Sequence, residues 1–567
     1  MTLLQWTLSF FILQIVHFLG TWKLYKIAGF HSWQALIPVY NAYILMKIIG
    51  RPTWWVILLF IPTINLIMFI VIWVEILRSF GWNSLKNNAL VIITLGLYVY
   101  TLNYSKNHKY IPNTSLQQRT NFGETLGSIL FAIVAATIVH NYVIQPYIIP
   151  TGSLEKSLLI GDFLFVSKFH YGARVPMTAV SFPMVHDTIP ILKIRSYLKK
   201  PQFPYLRLPG IKKIKRNEIV VFSWPADTVR QFFVKEKRVD KPIDKKSNYV
   251  KRCVGVPGDT LEIINGLVFT NGSKNVLPER AKIQYIHYAY SQKGVSSRKL
   301  GVEGYSDYTR LYKIENITEQ SYKQILPYII GRKGNTREDF KVITESKGLP
   351  SKVIYKTGLK VSEILELKKE ITLTLGEAET LRKLPGIDSV VRRINKINVP
   401  NEAFFPNKIP FDWNEDNFGP IVIPKKGMTV ELNRKNLSLF KKIIGEYEDN
   451  VLELTPSGVK INGISSSKYT FKKDYYWMMG DNRHKSEDSR FWGFVPDDHI
   501  VGKPVFIWFS IKGINDGIKN WKIRWDRVFT TVDGPGKRTS YFPHFIGAIV
   551  IWQGFVFYRR RKNKKLV

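Results

Sequence analysis

Apolar residues crowd into the first 145 positions and into a short stretch near the C-terminus. The long middle of the chain instead alternates short apolar runs with polar segments. A helix that crosses a bilayer needs about 17–25 apolar residues. Leu3 to Gly20 meets that need. No basic region precedes it and no small-residue cleavage site follows, so it reads as an anchor and not a removable signal. Trp54 to Leu77 is a second span, interrupted by Pro62, Asn65 and Glu75. Ala89 to Leu102 is a short third, Leu126 to Val143 a fourth, and Phe545 to Tyr558 a short fifth. Trp33 to Ile49 suits a half-buried or re-entrant helix.

Charge orients these spans. The run Arg559 to Lys565 carries six positive charges in seven residues and predicts a cytoplasmic C-terminus. Lys106, Lys109 and Arg119 predict a cytoplasmic side before the fourth span. The fourth span then runs outward, the fifth returns, and residues 146–540 lie outside. Counting back, the third span runs inward, the second outward and the first inward. Lys23, Lys26, Lys47 and Arg51 fall inside, while Arg78 and Lys86 fall outside, against the rule.

The outer region reads as β-rich. Asp162 to Lys168, Glu218 to Trp224, Tyr249 to Val254 and Val501 to Phe509 are short, branched or aromatic, and bounded by Gly, Pro or Asn. Residues 273–400 differ. Ser362 to Lys369 has helical periodicity, which predicts an insertion with structure of its own. The expected architecture is a multi-span α-helical membrane region plus a mostly-β extracytoplasmic domain carrying a mixed α/β insertion. Its divisions are 1–104 (membrane region), 105–123 (cytoplasmic linker), 124–145 (transmembrane helix), 146–272 and 401–512 (two parts of one β domain). The insertion at 273–400 separates those parts. Residues 513–540 form a juxtamembrane linker, 541–558 a last span and 559–567 a basic tail.

The net charge of +38 invites a nucleic-acid partner. No zinc-finger spacing, RNA-recognition signature or helix-turn-helix accompanies it, and the cations are dispersed. Attraction to anionic lipid accounts for them better. Cys253 is the single cysteine, so no intrachain disulfide is available. The ten histidines show no metal-ligand spacing. Neither a metal nor a cofactor is expected.

The chemistry gathers in three segments. Ile149-Pro150-Thr151-Gly152-Ser153-Leu154 sets a small hydroxyl just beyond the fourth span. Tyr249 to Asp259 sets Lys251 in an apolar strand. Gly480-Asp481-Asn482-Arg483 is followed by Asp488-Ser489-Arg490-Phe491-Trp492-Gly493. Serine attack on an amide requires proton removal, and no histidine stands in a triad pattern. A solvated lysine is protonated, with a pKa near 10.4. Burial disfavours its charge, and a neutral amine can then take the serine proton. Tyr249, Lys251 and Cys253 share one strand face.

These segments resemble the signature boxes of bacterial type I signal peptidase, a membrane Ser/Lys endopeptidase, over roughly residues 124–270 and 405–510. The multi-span N-terminus and the long insertion resemble its larger members. The resemblance implies a signal peptidase-like β fold and cleavage of signal peptides from exported preproteins after small residues. Ser153 and Lys251 would be catalytic. Thr151 would donate to the oxyanion with the Ser153 N–H, and Ser486 would hydrogen-bond the lysine amine. Asp481, Arg483, Asp488 and Arg490 would form a structural framework. Ile149, Pro150, Leu154, Leu158, Leu164, Tyr249 and Val250 match the positions that line the substrate pockets. Leu154 replaces the usual methionine, a volume-conserving change. Lys156-Ser157 replace a usual proline and threonine, which loosens a turn. Secretory preproteins, the anionic bilayer of a bacterial plasma membrane and the translocation machinery are the implied partners. Two rivals remain at this point: a self-cleaving Ser/Lys regulator and a non-enzymatic membrane scaffold. The apolar spans oppose the first, and retention of Ser153 and Lys251 opposes the second.

Overall fold

The computed structural model describes residues 3–107, 109–112, 114, 121–229, 237–334, 340–407, 411–456 and 458–564. Arg119, Lys565 and part of the 105–123 linker (108, 113 and 115–120) lie outside the described residues. Among the described residues, two helices are long and apolar enough to cross a membrane, Leu4–Ile27 and Gly123–Val143.

The N-terminal region forms α1 (Leu3–Ile27), α2 (Tyr40–Ile48), α3 (Ile64–Ser79), α4 (Leu85–Ile93) and α5 (Val99–Tyr104). Two expected spans are therefore corrected. The Trp54–Leu77 segment breaks into a single turn, Trp55–Leu58, and α3, with Pro62 at the break. The Ala89–Leu102 segment breaks between α4 and α5. There Gly96 takes a φ of +87°, and the Trp73 ring packs where a Cβ would stand, 2.4 Å away. The re-entrant helix expected over Trp33–Ile49 likewise divides into a 3-10 turn, Ser32–Ala35, and α2.

The direction of the second span is corrected as well. Helix α6 (Asn121–Ile138) continues as a π-turn through Val143 into the β domain. Thr63, at the head of α3, lines one cavity with His140 and Asn141 beyond the end of α6. At the opposite end the Ile111 N–H donates to the Ser79 carbonyl at 2.8 Å. Helices α3 and α6 are thus antiparallel. Whichever way α6 runs, α3 runs the other, and Arg78 and Lys86 share the side from which α6 starts. Trp6 donates to the Gln202 carbonyl at 2.9 Å and stacks on Phe203, so α1 starts beside the β domain. Inside the bundle the Arg51–Glu75 ion pair is buried at 2.6 Å.

Among the described residues the β domain is built on a nine-stranded antiparallel sheet, with three smaller sheets beside it formed from residues within 260–274 and 418–470. The main path of the large sheet uses β1 (Ile144–Ile148), β2 (Asp162–Ser167), β3 (Ile219–Ser223), β4 (Asn248–Gly255), β5 (Tyr475–Met479), β6 (Val495–Pro496) and β7 (Ile500–Lys512). Their spatial order is β1-β2-β7-β3-β4-β5-β6. Strand β3 is buried at every position because β7 and β4 flank it, which suits its unbroken apolar run. The register sets Lys251 of β4 opposite Val220 of β3.

Among the described residues the insertion holds two small sheets with separate cores. One joins Gln284–Tyr290, Lys368–Thr374 and Ser389–Arg392 around Ala289, Ile371 and Leu373. The other joins four strands around Tyr312, Ile314 and Val342. The helix expected over Ser362–Lys369 is not formed. Lys360–Ile364 and Lys368–Thr374 are strands that pair with Thr309–Glu315 and Gln284–Tyr290. Cross-strand pairing overrides the local period there, and Lys369 is buried with its amine donating to Ser297 Oγ at 2.7 Å. Helix α7 (Leu375–Arg382) follows, capped by Thr374. Helix α8 (Phe542–Lys564) lies where the fifth span was expected, but it is not one of the two helices apolar enough to cross a membrane.

Candidate active site

Strand β1 ends at Ile148, and an extended Thr151 leads into a 3-10 turn over Gly152–Leu154. Ser153 is half-buried in that turn, and Leu154 beneath it is 1% exposed. Ile149, Leu154, Leu158 and Leu164 share one core cluster, with Val250 packed against it. Of the other pocket candidates, Pro150 is exposed. Tyr249 belongs to a different cluster, where it stacks on Trp224 at 5.0 Å. Cys253 lies in that second cluster too, on the Tyr249 face of β4.

Lys251 is 4% exposed, and its Nζ lies 2.6 Å from Ser153 Oγ. Burial lowers its pKa, Asp488 and Glu487 pull it back up, and Arg490 opposes them; the net value is about 8. At pH 7 roughly a tenth of the molecules then carry a free amine, against fewer than about one in a thousand for a solvated lysine. The contact serves either state. An ammonium donates to Oγ, whereas a neutral amine accepts the hydroxyl proton.

The charged residues downstream divide into two groups. Arg252, beside Lys251 in β4, binds Asp481 through two hydrogen bonds of 2.7 and 2.6 Å. Burial raises the Asp481 pKa, but Arg252 outweighs it and holds the carboxyl below its usual range. Asp488 accepts from Arg490 at both oxygens, each at 2.9 Å, and from the Gly480 N–H at 3.0 Å. Arg490 also donates to the Arg483 carbonyl at 2.5 Å. The Arg483 guanidinium forms no ion pair among the described residues. It reaches Met479 Sδ at 3.8 Å, and its Nε lacks an acceptor. Arg483 therefore joins this network through its backbone.

Ser486 does not make the expected bond to the lysine. Among the described residues its buried Oγ has no hydrogen-bond partner. It packs over Gly480, where an added Cβ would lie 2.2 Å from Ser486 Oγ and 2.6 Å from the Ser153 carbonyl. The hydroxyl thus sits against the backbone of the nucleophile turn. Thr151 is exposed, and its side chain makes no capping bond.

Several residues that hold the site were not singled out by sequence reasoning. The Asn482 N–H donates to the Ser153 carbonyl at 3.1 Å, and its side chain reaches the Gly152 carbonyl at 3.3 Å. From the insertion, Gln284 donates to the Glu155 carbonyl at 2.6 Å, and the Lys282 N–H donates to Ser157 Oγ at 2.9 Å. Lys156, at the departure from the family pattern, has a left-handed φ of 66°. For a residue with a Cβ that conformation costs about 1–2 kcal/mol. Its amine pairs with Glu377 of α7 at 2.5 Å, so the insertion steadies the looser turn. Asn482 stood inside a recognised box, whereas the insertion residues carried no local signal.

Residues 122–322 and 418–509 match the family model described as signal peptidase, peptidase S26. The chain belongs to the signal peptidase family. It is a serine peptidase that cleaves signal peptides. Among curated relatives, signal peptidase I of Buchnera aphidicola subsp. Acyrthosiphon pisum is 24% identical over 72% of this chain and 84% of its own length. That of Haemophilus influenzae is also 24% identical, over 72% and 75%. That of Rickettsia massiliae is 26% identical over 29% and 48%. Residues 33–113 of this signal peptidase match a separate family of unknown function (DUF5684).

Proposed function

We propose that Ser153 is the nucleophile and Lys251 its general base. The observation that carries this is the 2.6 Å contact between Ser153 Oγ and a buried Lys251 whose pKa is lowered to about 8. Ser153 Oγ attacks the scissile carbonyl carbon as its proton passes to Nζ. The tetrahedral intermediate collapses, the C–N bond breaks, and the ammonium returns the proton to the leaving amine. Water, deprotonated by Lys251, then cleaves the acyl ester and restores Ser153. Thr151 and the Ser153 N–H stabilise the oxyanion, a role in which one donor contributes roughly 3–4 kcal/mol. The Asp481–Arg252 and Asp488–Arg490 pairs hold the strands beneath this chemistry, with Arg483 contributing its carbonyl. The apolar side chains of Ile149, Leu154, Leu158, Leu164 and Val250, with Pro150 and Tyr249 at the rim, restrict the bound segment to small side chains near the cut.

In this reading the β domain stands outside the cytoplasmic membrane, with α6 running outward, α1 and α3 running inward and α8 returning to a basic end. The contact between the start of α1 and Gln202 supports an outward N-terminus. Exported preproteins are the substrates, anionic lipid surrounds the helices, and the translocation machinery delivers the chain to be cut. The test is incubation of the purified enzyme with a preprotein, followed by sequencing of the product's new N-terminus. Cleavage behind a small residue at the end of the signal peptide is expected; cleavage elsewhere, or none, contradicts the reading.

A further inference from the structure

A cavity of about 330 Å³ lies where α6 gives way to the β domain. Neither Ser153 nor Lys251 lines it. Its walls combine Thr63 and the end of α6 with three basic side chains of the β domain, Lys168, Arg174 and Lys245. Asp244 is the one carboxylate among the lining residues. That carboxylate is already engaged by the N–H groups of Met177 and Thr178 and by the Thr178 hydroxyl, at 2.8–3.0 Å. Among the described residues Arg174 donates to the Asp498 carbonyl and Ser223 Oγ, at 3.0 and 3.2 Å. Lys245 donates to Ser181 Oγ at 2.8 Å.

Lys168 decides the matter. It is 8% exposed, and among the described residues its ammonium has neither an ion-pair partner nor a hydrogen-bond acceptor. The nearest aromatic ring, that of Tyr147, is 6.0 Å away. The side chain is mostly buried while its amine faces the cavity, and a partly desolvated amine without a countercharge is costly to protonate. Burial and the neighbouring Arg174 and Arg207 push its pKa well down. An anion in the cavity would supply the missing acceptor and countercharge together. Oxygens of a tetrahedral anion suit several converging N–H donors at once.

The position of the cavity indicates what carries the anion. It opens at the end of an apolar helix long enough to cross a membrane. Phe182 and Met184 line the same cavity and expose 56% and 54% of their surface. A charged recess beside exposed apolar side chains matches a phosphate joined to acyl chains. We propose that this cavity binds the phosphate of a phospholipid headgroup through Lys168, Arg174 and Lys245. The lipid source rests on the membrane reading of α6 given above, whereas the phosphate site itself does not.

The test is isothermal titration of the purified full chain, in non-ionic detergent, with dihexanoylphosphatidylglycerol, inorganic phosphate and a short-chain diacylglycerol. The phospholipid is expected to bind saturably and more tightly than phosphate, and the diacylglycerol not at all. Lys168→Gln should weaken phospholipid binding by about tenfold and Lys168→Arg by less than about threefold, since the second keeps the charge. If Lys168→Gln fails to fold, Lys245→Gln replaces it, with a loss in the same direction expected. No saturable phospholipid binding, or binding that the glutamine variants leave unchanged, overturns the site. Equal affinity for inorganic phosphate overturns the lipid assignment alone. The readout is binding, so its failure is distinct from a failure of the peptidase reading.

Discussion

The two halves of the dyad are held in different ways. Lys251 sits within a strand whose neighbours on both sides are ladder partners, and its burial comes from the sheet itself. Ser153 sits in a turn whose backbone is fastened by segments remote in sequence: Asn482, Lys282, Gln284 and, through Lys156, Glu377. The base depends on the sheet that the family match covers. Among the clamps on the nucleophile turn, Asn482, Lys282 and Gln284 lie within the match, and Glu377 of the insertion lies outside it. The difference suggests that substitutions in the two regions fail differently: changes at the base remove chemistry, and changes at the clamps misplace it.

The largest effect tests the chemistry on both sides. Ser153→Ala and Lys251→Ala are each expected to lower preprotein turnover by more than about a thousandfold while circular dichroism stays that of wild type. Lys251→Arg should fail equally, because a guanidinium stays protonated. Near wild-type turnover of any of the three, in detergent-solubilised enzyme, contradicts the dyad.

Next comes the support beneath the lysine. Asp481→Asn leaves Arg252 buried against a neutral amide, and the expected loss is about 3–5 kcal/mol of stability. Denaturant unfolding measures it, and a loss below about 1 kcal/mol would show that the pair does not brace the strand.

The smallest effect concerns the clamp. Gln284→Ala removes the bond to the Glu155 carbonyl from a fully buried position. About 1 kcal/mol is expected, seen as a roughly fivefold fall in kcat/KM with the pH profile unmoved. A change in the apparent pKa instead would mean that the insertion acts on Lys251 and the two halves are not separate.

How far the sequence discloses this molecule follows the same division. The dyad and the strands around it are legible because a serine, a lysine and branched apolar runs each carry a local signal. The clamps are not, because Ser157 and Lys156 find their partners 125 and 221 residues away. Ser486 shows the limit of a motif: its box is recognisable, yet its hydroxyl packs over Gly480 and leaves the amine alone. Ser362 to Lys369 has a helical period but lies in two strands, since cross-strand partners outweigh a short periodic run. In the bundle, Pro62 marks one break in the apolar stretches, but neither the break at Gly96 nor the antiparallel packing of α3 on α6 carries a local signal.

The neutral lysine is the centre of the account, and kcat/KM against pH tests it most directly. Only the unprotonated amine accepts the serine proton, so activity falls as pH drops below the Lys251 pKa and levels off above it. With that pKa lowered to about 8, a short peptide substrate with small residues before the cut should be cleaved with a rate that rises tenfold per pH unit below the midpoint and reaches its plateau about one unit above it. A profile flat from about pH 6 to 9 that rises only near the ordinary lysine value of about 10.4 would contradict the account.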